Sequence, residues 1–132
     1  MANLTILKKT RRQAAVKITG TGLANVTYTD IAYADQTIPL NTAGNLIWTI
    51  SDIAYDVGNS ANIKRGGNLV FAMNAGSGEF NLTDDMGVVL DENAHSNVSI
   101  NLGGIEGTII IQFSKGIGFN EPDRQNQGPG SL

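Results

Sequence analysis

Asp84, Asp85, Asp91, Glu92 and His95 are the one dense group of side chains in this sequence whose chemistry suits a hard cation or proton transfer. Carboxylate oxygens coordinate calcium, and a pair of them hydrolyses glycosides when held at the right separation. A calcium loop needs acids at alternating positions ahead of a glycine, whereas Asp84-Asp85-Met86-Gly87 reads as a turn. Asp91, His95 and Ser96 adjoin in sequence, but a catalytic triad is assembled in space, and Ser96 lacks the elbow that exposes a nucleophilic serine. Gly20-Thr21-Gly22-Leu23-Ala24-Asn25 opens like a dinucleotide-binding turn, yet Asn25 stands where the third glycine belongs and a threonine-rich strand follows where a helix is required. Gly116-Ile117-Gly118 leads only into polar sequence. With no cysteine and a single histidine, thiolate zinc sites and cysteine nucleophiles are excluded. No catalytic residue, metal or cofactor is expected, no small-molecule substrate is implied, and whether Asp84 to Glu92 takes a structural calcium stays open.

Charge carries more information than these motifs. Lys8, Lys9, Arg11, Arg12 and Lys17 fall within residues 1–29, which hold no acid, although the whole chain has a net charge of −3. Residues 66–114 contain six acids and neither lysine nor arginine. A basic arm and an acidic body attract each other between neighbouring copies, or meet a partner of opposite charge. Nucleic acid is a poor partner, because the acidic remainder repels phosphates and no aromatic ladder accompanies the basic residues. Lys8, Lys9, Arg11 and Arg12 are therefore candidate contacts to protein. Gln125, Asn126 and Leu132, in the polar stretch that begins at Asn120, are the others.

The elements that must carry these residues are strands. In Asn97-Val98-Ser99-Ile100-Asn101-Leu102 the apolar residues share one face and the polar ones the other, the period of a half-buried strand. Leu4 to Lys9 and Ala14 to Thr19 read the same way, and Val26 to Thr29 alternates after the Gly20–Gly22 break. Leu46 to Ile50 and Ile53 to Val57 follow as two further strands, the first carrying the only tryptophan, Trp48, as a core anchor. Gly66-Gly67 joins Asn62–Arg65 to Leu69–Met73 as a hairpin with Leu69, Phe71 and Met73 on one face. Asn74 to Gly78 reads as a turn before Glu79–Leu82, and Thr108 to Phe113, apolar on three consecutive positions, reads as a central strand covered on both faces.

A length of 132 residues with 41% hydrophobic and 16% charged residues fits one globular domain. No stretch is long enough to span a membrane, and the first residues show no secretory leader. The expected fold is all-β: an antiparallel β-sandwich, jelly roll or barrel over residues 14–119, with an extended basic arm at 1–13 and a polar tail at 120–132. One or other of those ends is expected to reach onto another chain.

The segment from Trp48 to Leu82, through Gly58 and Ala61-Asn62-Ile63-Lys64-Arg65-Gly66-Gly67-Asn68-Leu69-Val70-Phe71, resembles small β-rich virion proteins of tailed bacteriophages, in particular capsid decoration or cement proteins. The resemblance extends over roughly residues 45–116 as a strand pair, a glycine-rich turn, an aromatic strand, an acidic loop and a closing strand. It implies a structural protein of the virion that binds the major capsid protein and stabilises the head, present in many copies, self-associating, and made soluble in the host cytoplasm. It carries across no functional residue. Another virion component, such as a tail-tube, head-completion or fibre protein, shares the same strand pattern. A carbohydrate-binding β-sandwich is the rival of a different class, with Trp48 or a tyrosine on an exposed platform.

Overall fold

The computed structural model describes residues 2–33, 47–81 and 96–116. In chain order the elements are β1 (Asn3–Lys9), β2 (Gln13–Gly20), β3 (Leu23–Val26), a helical turn α1 (Tyr28–Ile31), β4 (Trp48–Val57), β5 (Ala61–Arg65), β6 (Asn68–Met73), β7 (Gly76–Asn81), β8 (Val98–Asn101) and β9 (Gly107–Lys115). Alternation produces them: in β2, Ala14, Val16 and Ile18 are buried while Ala15, Lys17 and Thr19 are not, and β9 repeats this with Ile109, Ile111 and Phe113.

Two sheets face each other, in the orders β1-β2-β9-β4-β7 and β3-β8-β5-β6, and every adjacent pair is antiparallel. Omitting β1, the orders β2-β9-β4-β7 and β3-β8-β5-β6 are those of an eight-stranded jelly roll. The expected antiparallel sandwich is thus what forms, with β1 added outside β2. Residues 3–9 are an extended strand, as expected, but lie on this chain's own sheet, Asn3 opposite Thr19 and Lys9 opposite Ala14. The polar tail is outside the described residues.

Three bulges reset the alternation. Ile50 pairs with Phe113 and Asp52 with Gln112, so Ser51 is an extra residue on β4, its hydroxyl donating to the Gln112 carbonyl at 3.2 Å. Inward residues are even before it, Trp48 and Ile50, and odd after it, Ile53 and Val57. The two strands expected here are therefore one. Val70 is the extra residue on β6, which puts Leu69 opposite Lys64 on the solvent side, not beside Phe71 and Met73 as expected. Leu7 is the extra residue on β1.

Other expectations are corrected by local chemistry. The strand at Val26 to Thr29 stops at Val26, because the Asp30 carboxylate accepts the Thr27 backbone N–H at 2.8 Å and the Thr27 carbonyl accepts from the Asp30 N–H at 3.0 Å. That closes a helical turn whose Ile31 is fully buried. Gly76–Gly78 belongs to β7 rather than to the turn before it, with Gly76 opposite Val57 and Gly78 opposite Tyr55. β9 is central as expected, but its outer face is only partly covered, since Ile110 is half-buried. Gly66 and Gly67 turn the β5–β6 hairpin with φ of 58° and 86°, the left-handed pair that a two-residue turn requires.

The core lies between the sheets. Val16, Ile18, Ile53, Ile109, Ile111 and Phe113 on one side meet Val26, Ile63, Val98 and Ile100 on the other, all fully buried. Trp48 is among them as expected, its ring centroid 5.1 Å from that of Phe113.

A cationic rim as the candidate functional site

One end of the sandwich collects the basic residues. It comprises the β1–β2 turn, the start of β4 and the ends of β5 and β9, since Trp48 pairs with Lys115 and Arg65 with Val98. The turn is built on Thr10, whose hydroxyl accepts the Gln13 N–H at 2.9 Å and the Arg12 N–H at 3.3 Å. The Thr10 N–H donates to the Gln13 carbonyl at 2.8 Å. A side chain that mimics a backbone turn fixes both arginines between two strands.

Tyr33 is the centre of the group. The Arg11 guanidinium lies 4.7 Å from its ring centroid, the Lys9 Nζ 5.3 Å and the Lys115 Nζ 5.4 Å, all within reach of the ring's negative face. The tyrosine hydroxyl donates to the Lys9 carbonyl at 2.7 Å. Lys115 Nζ donates to the Thr10 carbonyl at 2.6 Å, and the Lys115 backbone N–H donates to the Arg12 carbonyl at 2.8 Å. The bulge at Leu7 turns Lys9 toward this group and leaves Lys8 on the opposite face, where its Nζ donates to Gln13 Oε1 at 3.1 Å.

Burial and like charge act together on Lys115. It occupies an inward position of β9, and desolvation first, then the neighbouring Lys9 and Arg11, lower its pKa from 10.5 to about 8. Behind it a second cation is enclosed: Arg65 is 3% exposed, its guanidinium 4.4 Å over the Trp48 ring and its Nε donating to the Ser96 carbonyl at 3.0 Å. The Trp48 indole N–H finds no hydrogen-bond partner among the described residues.

Of the residues singled out from the sequence, Lys9, Arg11 and Arg12 come together here, and Lys8 flanks them on the outer face. Gln125, Asn126 and Leu132 lie outside the described residues, as do Asp84, Asp85, Asp91, Glu92 and His95. Sequence reasoning missed Lys115, Tyr33 and Arg65. The signal for Lys115 was available, since it continues the inward series Ile109, Ile111, Phe113; nothing local marks Tyr33. Chemically, this rim offers planar and point-like cations on a rigid frame, suited to carboxylates of a partner. Among the described residues no three His, Asp or Glu side chains are grouped to hold a metal ion, and no helix is long and apolar enough to cross a membrane.

The chain matches no protein-family model and none of the curated proteins. Among solved structures it is similar to KdgF from Halomonas sp. at 15% identity and a TM-score of 0.41, covering 93% of this chain and 83% of that one. It is also similar to the cupin domain of Cnp3 from Schizosaccharomyces pombe, at 13% identity and a TM-score of 0.42 over 98% and 71% of the two chains. A cupin superfamily protein from Desulfitobacterium hafniense gives 11% identity and a TM-score of 0.39 over 87% and 77%. Likeness at this level carries no substrate, metal or residue role to this chain. The assignment rests on its own strand order: an antiparallel jelly roll with one added outer strand and a cationic rim.

Proposed function

We propose that this chain is a non-catalytic structural protein whose cationic rim docks on acidic surfaces of other protein subunits, and that it serves as a decoration or cement protein on a bacteriophage head. The carrying observation is the gathering of Lys9, Arg11 and Lys115 around Tyr33. Two cations from the N-terminal segment and one from the end of β9 converge on a single ring, which concentrates positive charge at one end of the sandwich. A concentrated positive rim steers encounter with acidic surfaces and discriminates by charge. The virion role is what the sequence from Trp48 to Leu82 implies through its resemblance to phage decoration proteins. The jelly roll is compatible with it, being used by capsid proteins as well as by lectins and cupins, and by itself does not choose between them.

The test is to purify virions from cells in which the chain is made and to quantify it on the particles. With Arg11→Ser and Arg12→Ser together, occupancy is expected to fall several-fold, and to fall further as salt rises from about 0.05 M to 0.3 M. Absence of the chain from particles, or unchanged occupancy of the variant at every salt concentration, overturns the reading.

A further inference from the structure

The outer face of the five-stranded sheet is divided by charge. Following the pairing across β1, β2, β9, β4 and β7, one row reads Asn3, Thr19, Thr108, Asp56, Ser77 and the next Thr5, Lys17, Ile110, Ala54, Glu79. A third reads Lys8, Ala15, Gln112, Asp52, Asn81. Lys8 and Lys17 thus stand on the β1 side, Asp52, Asp56 and Glu79 on the β7 side, and the β9 positions between them are uncharged. On the inner face the row Ile6, Val16, Ile111, Ile53, Phe80 is apolar from edge to edge. Its outermost member, Ile6, is 38% exposed.

The geometry points to self-association: the β1 edge of one copy pairs head-to-tail with the β7 edge of a second copy, extending the sheet from molecule to molecule. Among the described residues both are edge strands of their sheet, with backbone groups on one side facing away from it. Successive strands alternate in direction across the sheet, so β1 and β7 run the same way and the new pairing is parallel. In unshifted register Ile6 adjoins Phe80, closing the apolar row, while Thr5 adjoins Glu79 with Lys8 and Lys17 of the same copy at its flanks. The bulge at Leu7 ends the usable edge of β1 at Ile6.

Charge selects this arrangement over the symmetric ones. Joining β1 to β1 brings Lys8 and Lys17 of two copies together, and joining β7 to β7 does the same for Glu79 and Asp56, both at a cost from like charge. The contact is heterologous: of two joined copies one keeps its β7 edge and the other its β1 edge, so association continues into a ring or a row. The open hollow of about 520 Å³ lined by Ala54, Asp56, Ser77, Glu79, Thr108 and Ile110 lies on the acidic side, where the incoming lysines arrive.

This association uses the sheet edges and not the Arg11–Arg12 rim, so it stands or falls apart from the docking proposed above. The purified full chain is measured by sedimentation at about 0.02 M and 0.5 M salt. Mass is expected to exceed that of a single chain at low salt, rising with concentration, and to return to it at high salt. Thr5→Glu with Lys17→Glu makes both edges acidic, and Asp56→Lys with Glu79→Lys makes both basic. Each double variant alone is expected to be monomeric. Mixed in equal amounts they regain association, since every β1–β7 contact between unlike copies is again complementary. A wild-type chain that stays monomeric at low salt, or folded variants whose mixture gains no mass, overturns the proposal.

Discussion

Lys115 continues the inward series of Ile109, Ile111 and Phe113, yet it brings a charge where they bring hydrocarbon. Its stem packs at the sandwich end while Nζ reaches the Thr10 carbonyl. Burial and the charges of Lys9 and Arg11 make the protonated form costly, so the folded chain releases that proton near pH 8 and the unfolded chain near 10.5. Below about pH 8 both states hold the proton and the penalty is carried in full. Between the two values the unfolded state binds more protons, and stability rises with pH. Lys115→Met removes the titration while keeping the stem. The free energy of unfolding of the wild type relative to this variant is therefore expected to increase between pH 7 and pH 9.5 in urea titrations. A constant difference across that window would show that Lys115 is not desolvated as the geometry requires.

At the scale of elements, β7 shows how a glycine is used for packing rather than for a turn. Gly78 faces Tyr55 across the β4–β7 ladder, and a Cβ built there would come within 2.7 Å of the Tyr55 hydroxyl and 2.8 Å of its Cζ. Tyr55 in turn meets Phe71 edge-on at 6.2 Å, and Phe71 stacks on Phe80 at 5.2 Å. Gly78→Ala must push the tyrosine off this cluster, a loss of about 1–3 kcal/mol typical of overpacking. Gly104→Ala, with nothing within 4 Å of the added carbon, is expected to change stability by no more than about 0.5 kcal/mol. Equal effects in denaturant titrations of the two variants would remove the packing role of Gly78.

The strands themselves were largely legible. Ala14, Val16, Ile18 and Val98, Ile100 alternate without interruption, and a period of two needs only local sequence. The bulges were harder, because one extra residue leaves the composition of a strand unchanged and shows only as a switch of parity. Trp48 and Ile50 against Ile53 and Val57 contained that switch, but it looked like a break between two strands. The four-residue turn at Tyr28–Ile31 is too short to show a helical period. The rim was legible in part: Arg11 and Arg12 are adjacent in sequence, whereas Lys115 joins Thr10 across 105 positions through the β2–β9 pairing. No local pattern encodes such a contact.

For the molecule as a whole, the strand order separates what folds the domain from what presents its surface. The eight strands β2 to β9 make up the jelly roll, and β1 lies against β2 outside it, with most of its residues exposed, Leu7 at 49% among them. A strand that buries little contributes little to the core, but it covers the outer side of β2 and supplies the edge proposed to pair with β7. Removing β1 alone, in a chain that starts at Thr10, is therefore expected to leave a cooperative thermal transition, at a lower temperature, and a far-UV spectrum still dominated by β-structure. The same truncation deletes Ile6 and Lys8 and so should abolish salt-sensitive self-association. Loss of the cooperative transition in the truncated chain would mean that β1 belongs to the folding core, and the division between scaffold and presenting edge would have to be given up.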